Sequence, residues 1–75
     1  MTSIEELVKL GKTNLDDANY INALIFFEKA LTLAKDNADL WNLKGVALRS
    51  LGRYEEASVC YKKSLELEPR DKVSS

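Results

Sequence analysis

Trp41-Asn-Leu-Lys-Gly-Val-Ala-Leu-Arg-Ser-Leu-Gly-Arg-Tyr-Glu-Glu-Ala-Ser-Val-Cys-Tyr-Lys-Lys-Ser-Leu-Glu-Leu-Glu-Pro69 is the stretch that decides the fold. Trp41, Gly45 and Leu48 recur at helical spacing, so they share one face of a first helix. Tyr54, Ala57, Tyr61, Ser64 and Leu65 do the same on a second. Gly52 lies between them, where one helix must stop and the chain reverse. Pro69 closes the unit, because it has no amide hydrogen with which to continue a helix. Large Trp41, Tyr54 and Tyr61 alternate with small Gly45 and Ala57. The small residues are expected to let two helix backbones approach closely while the large ones fill the space beside them.

Working outward, the pattern returns 34 residues earlier. Gly45 falls on Gly11, Tyr54 on Tyr20, Ala57 on Ala23, Lys63 on Lys29, Leu65 on Leu31 and Leu67 on Leu33. Trp41 pairs with Leu7, Tyr61 with Phe27, Ser64 with Ala30 and Val59 with Ile25. A fixed period without insertion signals stacked helical hairpins. The expected fold is all-α: four antiparallel helices in two tandem hairpins. Repeat one spans residues 4–37 and repeat two 38–71, within a single domain over residues 1–75.

Local signals set the ends. Ser3-Ile-Glu-Glu6 is a capping box, with Glu5 and Glu6 suited to the positive end of the helix dipole. The first helix is expected to reach about Asn14, with Ile4, Leu7, Gly11 and Leu15 on its packing stripe. Leu15 to Asn19 is read as the turn. The second helix is expected from about Ala18 to Ala34, with Tyr20, Ala23, Leu24, Phe27 and Leu31 inward. Asp36 or Asn37 should cap the third helix, about Ala38 to Leu51. The fourth is expected from about Tyr54 to Glu68. Residues 72–75 are read as a frayed tail, since Asp71 to Ser75 is too short for a fifth helix.

The chain has 75 residues, 11 basic and 12 acidic side chains and a net charge of −1, with no histidine. Acids and bases are interspersed, which points to neither a nucleic-acid nor a membrane partner. Without histidine or a Gly-rich phosphate loop there is no motif for acid–base or phosphoryl chemistry, so no enzymatic activity and no small-molecule substrate are expected. Cys60 is a lone cysteine, read as a small buried hydrophobe. It has no partner for a disulfide or a metal site, and neither metal nor cofactor is expected. The aromatic residues sit at packing positions of the repeat, which accounts for them without a base-stacking platform. No apolar run resembles a signal peptide or membrane span, so a cytoplasmic protein is expected.

Trp41, Gly45, Tyr54, Ala57, Tyr61 and Pro69 resemble the tetratricopeptide repeat motif, and the resemblance extends from Ile4 to Asp71. Repeat two departs at Lys44, Leu48 and Ser64, where the motif usually has Leu, Tyr and Ala. Repeat one lacks the Trp (Leu7) and the closing Pro (Lys35), and has Asn14 at the Tyr position. The resemblance implies a protein-interaction scaffold in which the first helix of each repeat lines a concave groove for an extended or helical peptide. Partner-binding positions then map to Val8, Lys9 and Lys12 in repeat one and to Asn42, Leu43, Val46 and Arg49 in repeat two. Glu5, Leu15, Asp16, Asp39 and Ser50 lie on the same faces. Such a groove suits a peptide with an apolar anchor and an acidic group. One subclass of the family clamps the C-terminal carboxylate of heat-shock chaperones over three repeats. Here there are two repeats, with Lys12 and Leu43 where that pattern wants Asn, so the chaperone activity is not implied. The alternative is self-association into a homodimer or a longer repeat array. Ile25 and Val59 occupy equivalent positions that the motif usually makes polar, and Ile21 and Phe26 lie nearby, forming a candidate apolar patch.

Overall fold

The computed structural model describes residues 3–68. They form four helices and, among the described residues, no strand: α1 (Ile4–Asp16), α2 (Tyr20–Leu33), α3 (Ala38–Ser50) and α4 (Tyr54–Leu67). Pro69 and the tail expected to fray lie outside the described residues.

The capping box at the start of α1 is formed. The Glu6 amide donates to Ser3 Oγ at 3.2 Å, and the Ser3 amide donates to Glu6 Oε1 at 3.3 Å. Asn37 rather than Asp36 caps α3, its Oδ1 accepting from the Leu40 amide at 3.2 Å. Asn19 stands at the cap position of α2, but its side chain makes no capping bond.

The first helix runs two residues past its expected end, through Leu15 and Asp16. The reason lies in how it closes. The Asn19 amide donates to the Asn14 carbonyl and the Ala18 amide to that of Leu15, the paired bonds of a Schellman motif. Repeat two closes α3 identically, with Arg53 donating to Leu48 and Gly52 to Arg49. This closure needs a left-handed residue after the cap. Gly52 fills that role with φ 82°, and Ala18 fills it in repeat one with φ 64°. Ala18, expected at about the start of α2, is therefore the bend that precedes it.

The helices pack in chain order: α1 on α2, α2 on α3, α3 on α4. The core is built from Leu7, Ala23, Leu24, Phe27, Ala30, Leu31, Leu40, Ala47, Leu48, Ala57 and Cys60. The small–large alternation works differently from the expectation. Gly45 makes room for the ring of Tyr61, not for the backbone of α4: a Cβ there would stand 2.7 Å from Tyr61 Cε1. Gly11 cradles Phe27 in the same way. Ala57 is buried in the core as expected.

Equivalent residues differ in burial according to their neighbours. Leu31 is 7% exposed against α3, whereas its repeat partner Leu65 is 53% exposed. Tyr20 is half-buried and lines a cavity shared with Leu51 of the next hairpin. Tyr54, expected on the packing stripe, is 66% exposed, because no described residue stands beside it as Leu51 stands beside Tyr20.

Candidate functional site

Helices α1 and α3 hold the faces that the sequence assigns to partner binding. On α1, Val8 and Lys12 are one turn apart. On α3, Asp39, Asn42 and Leu43 share a face at the same spacing. A cavity of about 300 Å³ between the two helices brings them together, lined by Val8, Lys12, Asn37, Asp39, Leu40, Asn42 and Leu43. A second hollow of about 460 Å³ continues along α1 past Ile4, Glu5, Lys9, Thr13 and Asp16. The two share Val8, Lys12 and Asn37, so they form one trough.

The structure therefore places Val8, Lys12, Asn42 and Leu43 in one cavity and Lys9 in its extension. Val46 and Arg49 lie further along α3 and line neither hollow; Val46 is half-buried and Arg49 exposed. Val8 and Leu43 are half-buried and pack on the core, so they supply an apolar floor. Lys9 and Lys12 are exposed, and the same hollows hold Glu5, Asp16 and Asp39. The rim thus carries both signs rather than a cationic excess. Asn37 is the lining residue that sequence reasoning did not place there. Its spacing marks it as a cap, and the cap occupies Oδ1, leaving the amide NH₂ for another acceptor.

The apolar residues read as a self-association patch are at the surface in three of four cases. Ile21 and Ile25 are exposed one turn apart on α2, and Val59 is exposed on α4. Phe26 is half-buried and packs on the core.

Chemically reactive arrangements are sparse. Cys60 is buried, and burial pushes its thiol pKa up; nearby Lys44 opposes that shift, while Glu56 and Glu28 add to it. A raised pKa disfavours the nucleophilic thiolate. Among the described residues, no group of three or more His, Cys, Asp or Glu side chains is placed to hold a metal ion. No described helix is long and apolar enough to cross a membrane.

Comparisons with known proteins agree with the repeat. Two models described as tetratricopeptide repeat match in tandem, at residues 7–37 and 38–71. The uncharacterized protein MJ0572 of Methanocaldococcus jannaschii is 48% identical over 46 residues, covering 61% of this chain and 54% of that protein. The TPR repeat-containing protein MJ0941 of the same organism is 40% identical over 61 residues, covering 80% of this chain and 16% of that protein. The chain thus spans about half the length of one curated relative and a small part of the other.

Proposed function

The chain belongs to the tetratricopeptide repeat family, and from that premise we propose that it is a protein-interaction scaffold that takes a peptide in the trough between α1 and α3. Repeats of this family generally mediate protein–protein interaction and are a non-catalytic scaffold type. The observation that carries the finer reading is the trough itself, with a half-buried apolar floor and a polar rim. A hydrophobic anchor side chain of the partner would sit on Val8 and Leu43. Lys12, Asn42 and the free amide of Asn37 stand where they would meet the partner's main-chain carbonyls. Because Lys9 and Lys12 are offset by Glu5, Asp16 and Asp39, the anchor rather than net charge would select the peptide. Arg49 and Val46 would extend contact along α3.

The test is selection of a random-peptide phage library on the immobilised protein, followed by titration of one selected synthetic peptide. Val8→Asp and Leu43→Asp should each abolish binding while circular dichroism still shows a folded helical protein. Lys12→Glu and Arg49→Glu should weaken peptides that carry an acidic residue. Amide shift changes confined to α2 and α4 would refute the mapping.

A second reading, self-association, is favoured by the exposure of Ile21, Ile25 and Val59. Sedimentation from micromolar to millimolar concentration distinguishes it. A dimer that dissociates in Val59→Lys with helicity retained supports this face, and a strict monomer ends the reading.

A further inference from the structure

A cavity of about 680 Å³ lies away from the trough. It sits between the C-terminal halves of α2 and α4, and its floor is α3. Leu31 and Trp41 line its base, and Lys35, Lys44 and Lys63 stand around it with Glu28 and Asp36. On α3, Trp41 and Lys44 lie roughly half a turn from Asp39, Asn42 and Leu43, so the cavity and the trough occupy opposite sides of one helix.

Three features make this cleft a built one. The Trp41 indole is held by its Nε1–H, which donates to the Lys35 carbonyl at 2.8 Å. Lys44 Nζ lies 5.5 Å from the Trp41 ring centroid, a distance at which cation and ring attract. The same ammonium is 3.6 Å from Glu28 Oε2, and that carboxylate is half exposed. Lys44 stands where the repeat motif usually has Leu. An apolar side chain at this position is thus replaced by one that brings an ammonium group into the cleft, between the Trp41 ring and Glu28.

We propose that this cleft binds an acidic peptide segment carrying one aromatic or branched apolar side chain. The apolar group enters over Leu31 and Trp41, and an adjacent carboxylate meets Lys63 and Lys35 and competes with Glu28 for Lys44. Charge complementarity sets the scale. The cleft has three ammonium groups and two carboxylates, an excess of one positive charge, on a chain whose net charge is −1. That balance suits one or two carboxylates, not a polyanion such as nucleic acid. The size falls within the usual range for ligand pockets, roughly 300–1,000 Å³.

Trp41 is the sole tryptophan, so its emission reports on this cleft directly. The experiment titrates the full chain with the acetylated, amidated peptide Gly-Asp-Phe-Glu-Gly and, in parallel, with its uncharged twin Gly-Asn-Phe-Gln-Gly. The expected result is a saturable change in Trp41 emission with the acidic peptide, at least about threefold weaker with the twin. Lys63→Glu should weaken the acidic peptide by about tenfold, since it replaces an attraction with a repulsion. Lys44→Leu removes one of the three ammonium groups and should weaken the acidic peptide more than its uncharged twin while the protein stays helical. No change in emission up to millimolar peptide would overturn the proposal. So would equal binding of the twin, wild-type affinity in Lys63→Glu, or amide shifts that fall on Val8, Lys12 and Leu43. That last pattern would leave the trough reading standing, and loss of the phage-selected peptide in Val8→Asp, with the acidic peptide still bound, would leave the cleft reading untouched.

Discussion

Ala18 and Gly52 occupy the same left-handed position in the two hairpin turns, one with a side chain and one without. Exchanging them isolates the cost of that backbone conformation. An L-residue other than glycine pays roughly 1–2 kcal/mol in the left-handed helical region, and glycine returns roughly 0.4–1 kcal/mol through its freer unfolded chain. The net is about 0.5–1 kcal/mol, with opposite sign at the two sites. Packing does not confuse the comparison: a Cβ on Gly52 would meet nothing within 4 Å, and Ala18 is exposed. Ala18→Gly should therefore raise the melting temperature by roughly 2–8 °C, and Gly52→Ala should lower it by a similar amount. The double variant should melt close to the parent, because neither substitution changes buried packing and their effects should nearly add. Thermal unfolding followed by circular dichroism at 222 nm measures all four proteins. A neutral or stabilising Gly52→Ala, or a destabilising Ala18→Gly, would refute the assignment of strain to this position.

Three further outcomes follow from the packing. Gly11→Ala should cost about 2 kcal/mol in urea unfolding, because the new methyl meets Phe27, which is fully buried and cannot swing away. Gly45→Ala should cost less than half of that, because the half-buried Tyr61 ring can move outward where the fully buried Phe27 cannot. Ala23→Leu and Ala57→Leu each insert methylenes into the core and should cost about 1–3 kcal/mol, read from the denaturant midpoint. The raised thiol pKa of Cys60 means that the fold favours the neutral form. Its contribution is present below the thiol's unfolded pKa and is lost as pH rises through the folded one. Cys60→Ala should accordingly flatten the alkaline fall in stability, and iodoacetamide should label the native thiol much more slowly than the urea-unfolded one.

The repeat was legible because its small and aromatic residues recur at one fixed offset, so two copies of one pattern reinforce each other. The same offset places Ala18 on Gly52, yet alanine itself gives no local sign of a left-handed bend. Read alone, Ala18 belongs at a helix start, and Asp16 and Asp17 read as a turn; only the paired bonds from Ala18 and Asn19 show that α1 continues. Tyr54 shows a different limit. Its motif position implies burial, but the shelter for Tyr20 comes from Leu51 of the next hairpin, and burial by a neighbour is not written in the residue. In the trough, Val8, Lys12, Asn42 and Leu43 were marked by the resemblance to the repeat motif, and they line one cavity. Asn37 was not, since its role as a cap explains it fully at the level of sequence. The cleft at Trp41 was visible only as a departure, Lys44 at a position usually occupied by Leu, and nothing in the spacing says that a cavity results.

Burial also explains where the candidate sites lie. The inner helices α2 and α3 each pack on two neighbours and bury five residues apiece, whereas α1 buries two and α4 three. In a linear stack the ends are held by one interface each, so α1 and α4 are the elements that open at least cost. The trough is walled by α1 against α3, and the cleft by α4 against α2. Each site therefore joins a weakly held outer helix to a firmly held inner one. A partner in either would bridge a gap that the chain's own packing leaves open and would bind the closed arrangement better than the frayed one. A ligand that bound at the trough would then stabilise α1, and one that bound at the cleft would stabilise α4. Because both sites are built on opposite sides of α3, which packs on both neighbours, each can be filled without displacing the core contacts that form the other.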